Sequence, residues 1–160
     1  MSVACAEFER LLEGLAAEEE MLAELIDGAQ RLGLALVASN YEVILRLSEE
    51  MTALAEEMDA AALRRDSVIA ELGFAGLPLS AIASAAAEAG FDGLTEARNR
   101  LLIQARDLHT VQERNAALVL AAARLRDRWA GMLAGLASPT YSAGGRRNLQ
   151  QGRRIVSKSA

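Results

Sequence analysis

The feature that most constrains this chain is an interval: apolar side chains recur every seven residues along its first segment. Phe8, Leu15, Leu22, Ala29 and Leu36 form one row, and Leu11, Leu25 and Leu32 form the row between them, interrupted at Glu18. Both rows fall on one stripe of an α-helix, the pattern of a coiled-coil seam. A strand could not use it, because its side chains alternate with a period of two. The spacing predicts a helix over residues 3–37. Gly28 and Gly33 lie inside it. Each weakens a helix by up to about 1 kcal/mol relative to alanine, so its second half is expected to bend or fray.

Ser39-Asn40 can cap a following helix, and the heptad phase changes there. A second helix is predicted over 41–72. Its seam is Ile44, Leu47, Met51, Leu54, Met58, Ala61, Val68 and Leu72, with Arg65 the one polar member. Two rods joined by a short turn make an antiparallel hairpin; one continuous rod through residue 40 is the competing arrangement. The stretch Gly73-Phe74-Ala75-Gly76-Leu77-Pro78 ends the second helix, since glycine lets the chain leave and proline cannot continue it. A short helix over 80–89 follows, with Ser80 as candidate cap and Gly90 as stop. A third long helix spans 94–137, with Leu94, Leu101, Leu108, Leu118, Ala122, Leu125, Trp129 and Leu136 in its apolar row, and Ser138-Pro139 closes it.

The expected fold class is therefore all-α: a long antiparallel helical hairpin plus a third long helix, forming a coiled-coil-like three-helix bundle over 1–137. A flexible basic tail is expected over 138–160. Composition agrees, because alanine and leucine fill 58 of 160 positions and there are two prolines, which leaves no room for the Val/Ile-rich runs of a sheet protein. Cys5 has no partner cysteine within the chain, which excludes a disulfide scaffold. Charged residues within the first fifteen positions argue against a secretory signal. The uncharged run of residues 72–87 is broken by Gly73, Gly76 and Pro78 and falls short of the ~20 residues a membrane span needs. A cytoplasmic protein with no integral membrane segment is expected.

Charge is uneven. Residues 1–71 carry 16 acids and 5 arginines, whereas residues 138–160 carry four arginines and Lys158 with no acid. Nucleic-acid binding by this tail is not expected, given the acidic balance of the chain and the absence of a recognised nucleic-acid fold signature. Gly144-Gly145-Arg146-Arg147 lacks the Gly-Lys-Ser/Thr of a phosphate loop. His109 is the sole histidine, so no His-rich metal site is available. Neighbouring acids such as Glu18-Glu19-Glu20 point about 100° apart on a helix and read as a solvated face. No catalytic constellation, metal site or cofactor site is expected, and hence no enzyme.

What remains is apolar surface. The stretch from Asn115 to Leu136 carries Leu118, Val119, Leu120, Leu125, Trp129, Met132 and Leu133 around more than one face, and such a helix needs more than one neighbour. Either the bundle surrounds it, with Trp129 in the core, or a partner does, with Trp129 as anchor. A structural coiled-coil protein that homo-oligomerises through these seams is the alternative reading.

Several short elements, in order, resemble one family. Leu11-Leu12-x-x-Leu15 with Glu18-Glu19-Glu20, then Leu36 and Asn40, then Leu45-x-Leu47 and Arg64-Arg65 are similar to text of the FlgN flagellar export chaperones. Asn115-Ala116-Ala117-Leu118-Val119 resembles that family's Asn-Gly-x-Leu-Ile stretch, and Thr140-Tyr141-Ser142-Ala143-Gly144 its Thr-Tyr-x-x-Gly text. The resemblance implies a non-enzymatic chaperone, monomeric when free. Its clients would be hook-associated proteins of the FlgK and FlgL type, whose C-terminal helical segments it would hold unassembled and deliver to the flagellar type III export gate. Carried over onto this chain, the client-binding residues would be Asn115, Leu118, Val119, Leu125, Trp129, Leu133, Leu136 and Tyr141.

Overall fold

Four helices account for the regular structure in the computed structural model, which describes residues 3–137: α1 (Val3–Val37), α2 (Tyr41–Glu71), α3 (Leu79–Glu88) and α4 (Leu94–Ala137). Each boundary falls within a residue of its expected place, and no strand occurs among the described residues. The expected tail over 138–160 lies outside them. The chain divides into two units, Met1–Val119 and Leu120–Ala160.

In the first unit α1 and α2 pack as an antiparallel hairpin. Arg10 meets Glu71 at 3.0 Å, Glu18 meets Arg65 at 2.6 Å, and Gly28 lies against Met51. The continuous rod is thereby excluded. At the turn the Asn40 N–H donates to the Ala35 carbonyl at 3.0 Å, and Ser39 adopts φ 53°, the left-handed geometry that ends many helices. Asn40 then caps α2, its side chain accepting the Val43 N–H at 3.3 Å. Of the two expected caps, one caps and the other turns the chain.

The seam residues are where the heptads put them. Phe8, Leu11, Leu15, Leu22, Leu25 and Ala29 of α1 are buried, as are Leu47 and Ala61 of α2. Burying each leucine fully contributes about 1.5–3 kcal/mol. Neither glycine breaks α1. The missing side chain of Gly28 makes room for Met51, whose Cγ would lie 3.1 Å from a Cβ there. The helix continues through both glycines to Val37, so the expected fraying is absent, tertiary contact outweighing intrinsic propensity.

The open end of the hairpin is closed by two matching caps. Gly73 and Gly90 take positive φ after α2 and α3, and the next residues, Phe74 and Phe91, donate N–H bonds back to Ile69 and Ala86 at 3.0 and 2.8 Å. This reversal satisfies carbonyls that a helix end leaves bare. It also aims both phenylalanines inward, where they stack on Phe8 with ring centroids 6.3 and 5.6 Å away. Around them Leu11, Leu15, Ile69, Ile82, Ala83, Ala86, Leu94 and Ala97 form a core drawn from all four helices. Ser80 is not the cap of α3. The helix starts one residue earlier, at Leu79, and Pro78 occupies the cap position without a side-chain bond, its fixed φ suiting a helix entry.

Glu18 and Arg65, the polar interruptions of the α1 and α2 seams, are partners, with the Arg65 Nη1 donating to Glu18 Oε2. The expected solvated face holds at Glu20, which is exposed, but is corrected at its neighbours: Glu18 is buried, and Glu19 accepts from Arg100 of α4 at 2.9 Å. Burial pushes the Glu18 carboxyl above the ordinary carboxylate range, and the Arg65 charge only partly opposes this. Its second oxygen, Oε1, has no hydrogen-bond partner.

Removing one member should therefore cost more than removing both. Arg65→Ala is expected to cost about 2 kcal/mol in urea unfolding, below the range for a fully buried pair because the Arg65 side chain is 26% exposed. The double replacement Glu18→Leu/Arg65→Leu is expected within about 1 kcal/mol of the parent. The raised carboxyl also sets a pH dependence. A proton binds Glu18 more readily in the folded chain, so its favourable contribution is present below the unfolded pKa of about 4.3 and lost as pH rises through the folded value. Relative to Glu18→Gln, the parent should gain stability as pH falls from 7 toward that value; urea midpoints across the range test it, and a flat difference would count against it.

Candidate partner-binding surface

Within the second unit the described residues are the helical stretch 120–137 of α4. The stretch lacks proline and is rich in alanine and leucine, so helix formation costs little. Leu125, Trp129, Met132 and Leu133 follow one another at intervals of four, three and one, which puts them along one face. All are exposed, from 49% for Met132 to 60% for Leu133. Leu120 is exposed too, and no side chain from 120 to 134 is buried. Of the two fates open to Trp129 in the sequence, the core is not the one observed: it is 55% exposed. Arg124, Arg126 and Arg128 flank the apolar residues, with Arg126 held to Asp127 at 2.8 Å. Contiguous apolar surface with a charged margin is the signature of a protein-interaction surface.

The first unit holds the other candidates. Val119 is exposed and Leu118 half-buried. Asn115 is turned inward, 8% exposed, with its Nδ2 donating to the Ala29 carbonyl of α1 at 2.7 Å. Its Oδ1 has no partner and lies where a Cβ on Gly33 would come within 2.6 Å. Gly33 thus admits the amide to the α1 backbone. Together with the Glu19–Arg100 pair and the contact of Gly93 with Leu12, this lays the first part of α4 along α1 in the same direction. Leu136 is within α4, but its side chain lies outside the described residues, as does Tyr141 altogether.

Sequence reasoning singled out Asn115 but not what it touches. The available signal was Gly33, one of three glycines in an otherwise strong helix. His109 is an exposed helix-surface residue, 3.3 Å from Glu113. Among the described residues no group of His, Cys, Asp and Glu could hold a metal ion, and no helix is long and apolar enough to cross a membrane.

The first unit is a helical body closed by its own core, and the described helix of the second presents an apolar face, features of a helical protein-interaction module. The family model described as FlgN protein matches residues 1–148, and the chain belongs to that family, the flagellar export chaperones. No curated protein and no solved structure matches it.

Two glycine replacements separate contact from propensity. Gly14→Ala, with nothing within 4 Å of the new Cβ, is expected to stabilise by about 1 kcal/mol. Gly33→Ala gains the same propensity but displaces the Asn115 amide, a buried bond worth about 1–3 kcal/mol, and is expected to destabilise. In an Asn115→Ala background Gly33→Ala should become stabilising. Urea midpoints of the four variants check the reversal.

Proposed function

We propose that this protein is an export chaperone for hook–filament junction proteins of the FlgK and FlgL type, working in the cytosol without catalysis or cofactor. It holds their C-terminal helical segments unassembled and delivers them to the flagellar type III export gate. The observation that carries this reading is the exposed face Leu125, Trp129, Met132 and Leu133 in a chain of the FlgN family. An amphipathic client helix presents anchors at intervals of three and four, which match an apolar helical face. Tryptophan supplies the rigid anchor that such interfaces favour. Leu118, Val119, Leu136 and Tyr141 extend the proposed surface, with Tyr141 in the stretch that resembles the family's Thr-Tyr-x-x-Gly text. Asn115 serves the α1 contact in the client-free chain and reaches a client only if that contact opens.

Trp129→Ala and Leu125→Asp should each weaken binding of a FlgK-type C-terminal peptide at least tenfold in calorimetry while far-UV helicity is retained. Both residues lie outside the core, so fold and binding should separate. Unchanged affinity in both variants would overturn the reading. A stable dimer in sedimentation that Trp129→Ala dissolves would assign the face to a second copy of the chain instead.

A further inference from the structure

The acids and the arginines of this chain are sorted along its length. Residues 1–113 carry 21 acids and 8 arginines, whereas residues 114–160 carry eight arginines and Lys158 against Asp127 as their one acid. The described helix of the second unit shows where the charges of that basic part stand. At about 100° per residue, Trp129, Met132 and Leu133 fall at about +40°, −20° and +80° from Leu125 around the helix axis. Ala121 and Ala122 fall within the same arc. Arg124 and Arg128 lie on one margin, at about −100° and −60°, and Arg126 on the other, at about +100°. Asp127 is on the far side, about 160° from Leu125, and its carboxylate meets Arg126 at 2.8 Å. Leu120, at about −140°, is the one large apolar residue of this stretch off the face.

This order of apolar arc, cationic margins and acid behind suits a flat boundary between hydrocarbon and water. A helix lying in that plane sinks its apolar side chains about 5–10 Å into the acyl boundary, and tryptophan is favoured at that depth. Arginines at the margins lay their stems along the apolar layer and keep their guanidiniums at the level of the lipid phosphates. A carboxylate at a margin would be repelled there. The four apolar residues and the three arginines are all exposed. No helix among the described residues can cross a membrane, so this one lies on a bilayer and does not span it. A nucleic acid would match the arginines but leave four large apolar side chains in water. A neutral bilayer would cover the apolar arc without matching the charge. An anionic bilayer does both, and apolar burial and electrostatic attraction then add.

We propose that residues 120–137 are an interfacial helix that binds the surface of an anionic bilayer. Leu125, Trp129, Met132 and Leu133 enter the acyl boundary, and Arg124, Arg126 and Arg128 lie on lipid phosphates. The four arginines and Lys158 of residues 138–160 add to the attraction. A bilayer and a client helix that cover the same face exclude each other, so the lipid-bound chain is the empty one.

The test uses the full chain with vesicles of phosphatidylcholine, alone or mixed with phosphatidylglycerol. Trp129 is the one tryptophan, so its emission reports entry into lipid directly. The mixed vesicles should carry the chain down in co-sedimentation and shift that emission to the blue. Phosphatidylcholine alone should bind at least tenfold more weakly. Arg124→Glu/Arg128→Glu and, separately, Leu133→Asp should each weaken binding at least tenfold while far-UV helicity holds. Arg64→Glu/Arg106→Glu, an equal charge change at exposed arginines of the first unit, should alter it less than twofold. Absence of binding to the mixed vesicles, or an equal loss in this control, would overturn the proposal. So would binding without a blue shift, which would put the contact outside the α4 face. A DNA duplex held by the parent and equally by Leu133→Asp, with the vesicles left unbound, would assign the arginines to nucleic acid instead. No client is present, so failure here is distinct from failure of the client-binding reading, which the peptide affinities decide.

Discussion

The apolar stripe of α1 is the constraint on which the first unit depends. Every other helix of that unit is placed by covering part of it. α2 packs along it from the turn to the open end, and α3 joins the core around Phe8, Leu11 and Leu15. The beginning of α4 reaches α1 through Leu94 and Ala97 in that core, then through Glu19, Ala29 and Gly33. In a folded protein most of a helix's stability comes from tertiary packing of one face, and in α1 (Val3–Val37) that face is the stripe. Fully buried Leu11 and Leu15 mark where that packing is densest. Truncating either to alanine would open a cavity of the kind that costs about 2–5 kcal/mol.

Polar groups in this packing fix its register more than they add to its strength. Leucine and alanine rows can slide by a heptad and still bury apolar surface. A carboxylate at position 18 cannot slide away from its guanidinium without leaving a charge unpaired in a dry seam, which costs several kcal/mol. Asn115 acts similarly against α1, because Gly33 lacks a side chain where the amide oxygen must fit. The unpartnered Glu18 Oε1 and Asn115 Oδ1 show that each device carries a cost. One buried polar contact per helix pair is the economy seen in coiled coils, where a single polar seam residue sets alignment at some expense of stability.

Most of this architecture is legible in the sequence because a period of seven leaves few alternatives. Helix limits, the turn at Ser39-Asn40 and the buried rows of α1 and α2 follow from spacing and capping chemistry alone. What spacing could not supply were contacts between residues distant in sequence. Glu18 and Arg65 each appear as a flaw in an apolar row, and their pairing becomes visible only once the hairpin's register is fixed. Gly33 reads as a helix weakness because propensity describes an isolated helix, whereas its role is a gap for Asn115 on another element. The surface of 120–134 was half legible: the sequence shows a helix apolar on more than one side, but burial depends on what lies beside it. Exposure of Trp129 removes the core alternative that the sequence had left open.

That exposure has a consequence for how stability and binding are distributed along the chain. Among the described residues the buried ones are all found from Phe8 to Asn115. Leu120, Leu125, Trp129, Met132 and Leu133 bury none of their number and add nothing to the core. Keeping five large apolar side chains in water forfeits about 1.5–3 kcal/mol for each one that a closed fold could have buried, and it raises the hazard of non-specific association. A helix under selection for stability alone would carry glutamate or lysine at such positions. Their presence agrees with the proposed function, in which the missing cover comes from another molecule and the same burial free energy is released on binding. It follows that the α4 face can change without disturbing the Phe8 core, because the two share no buried residue.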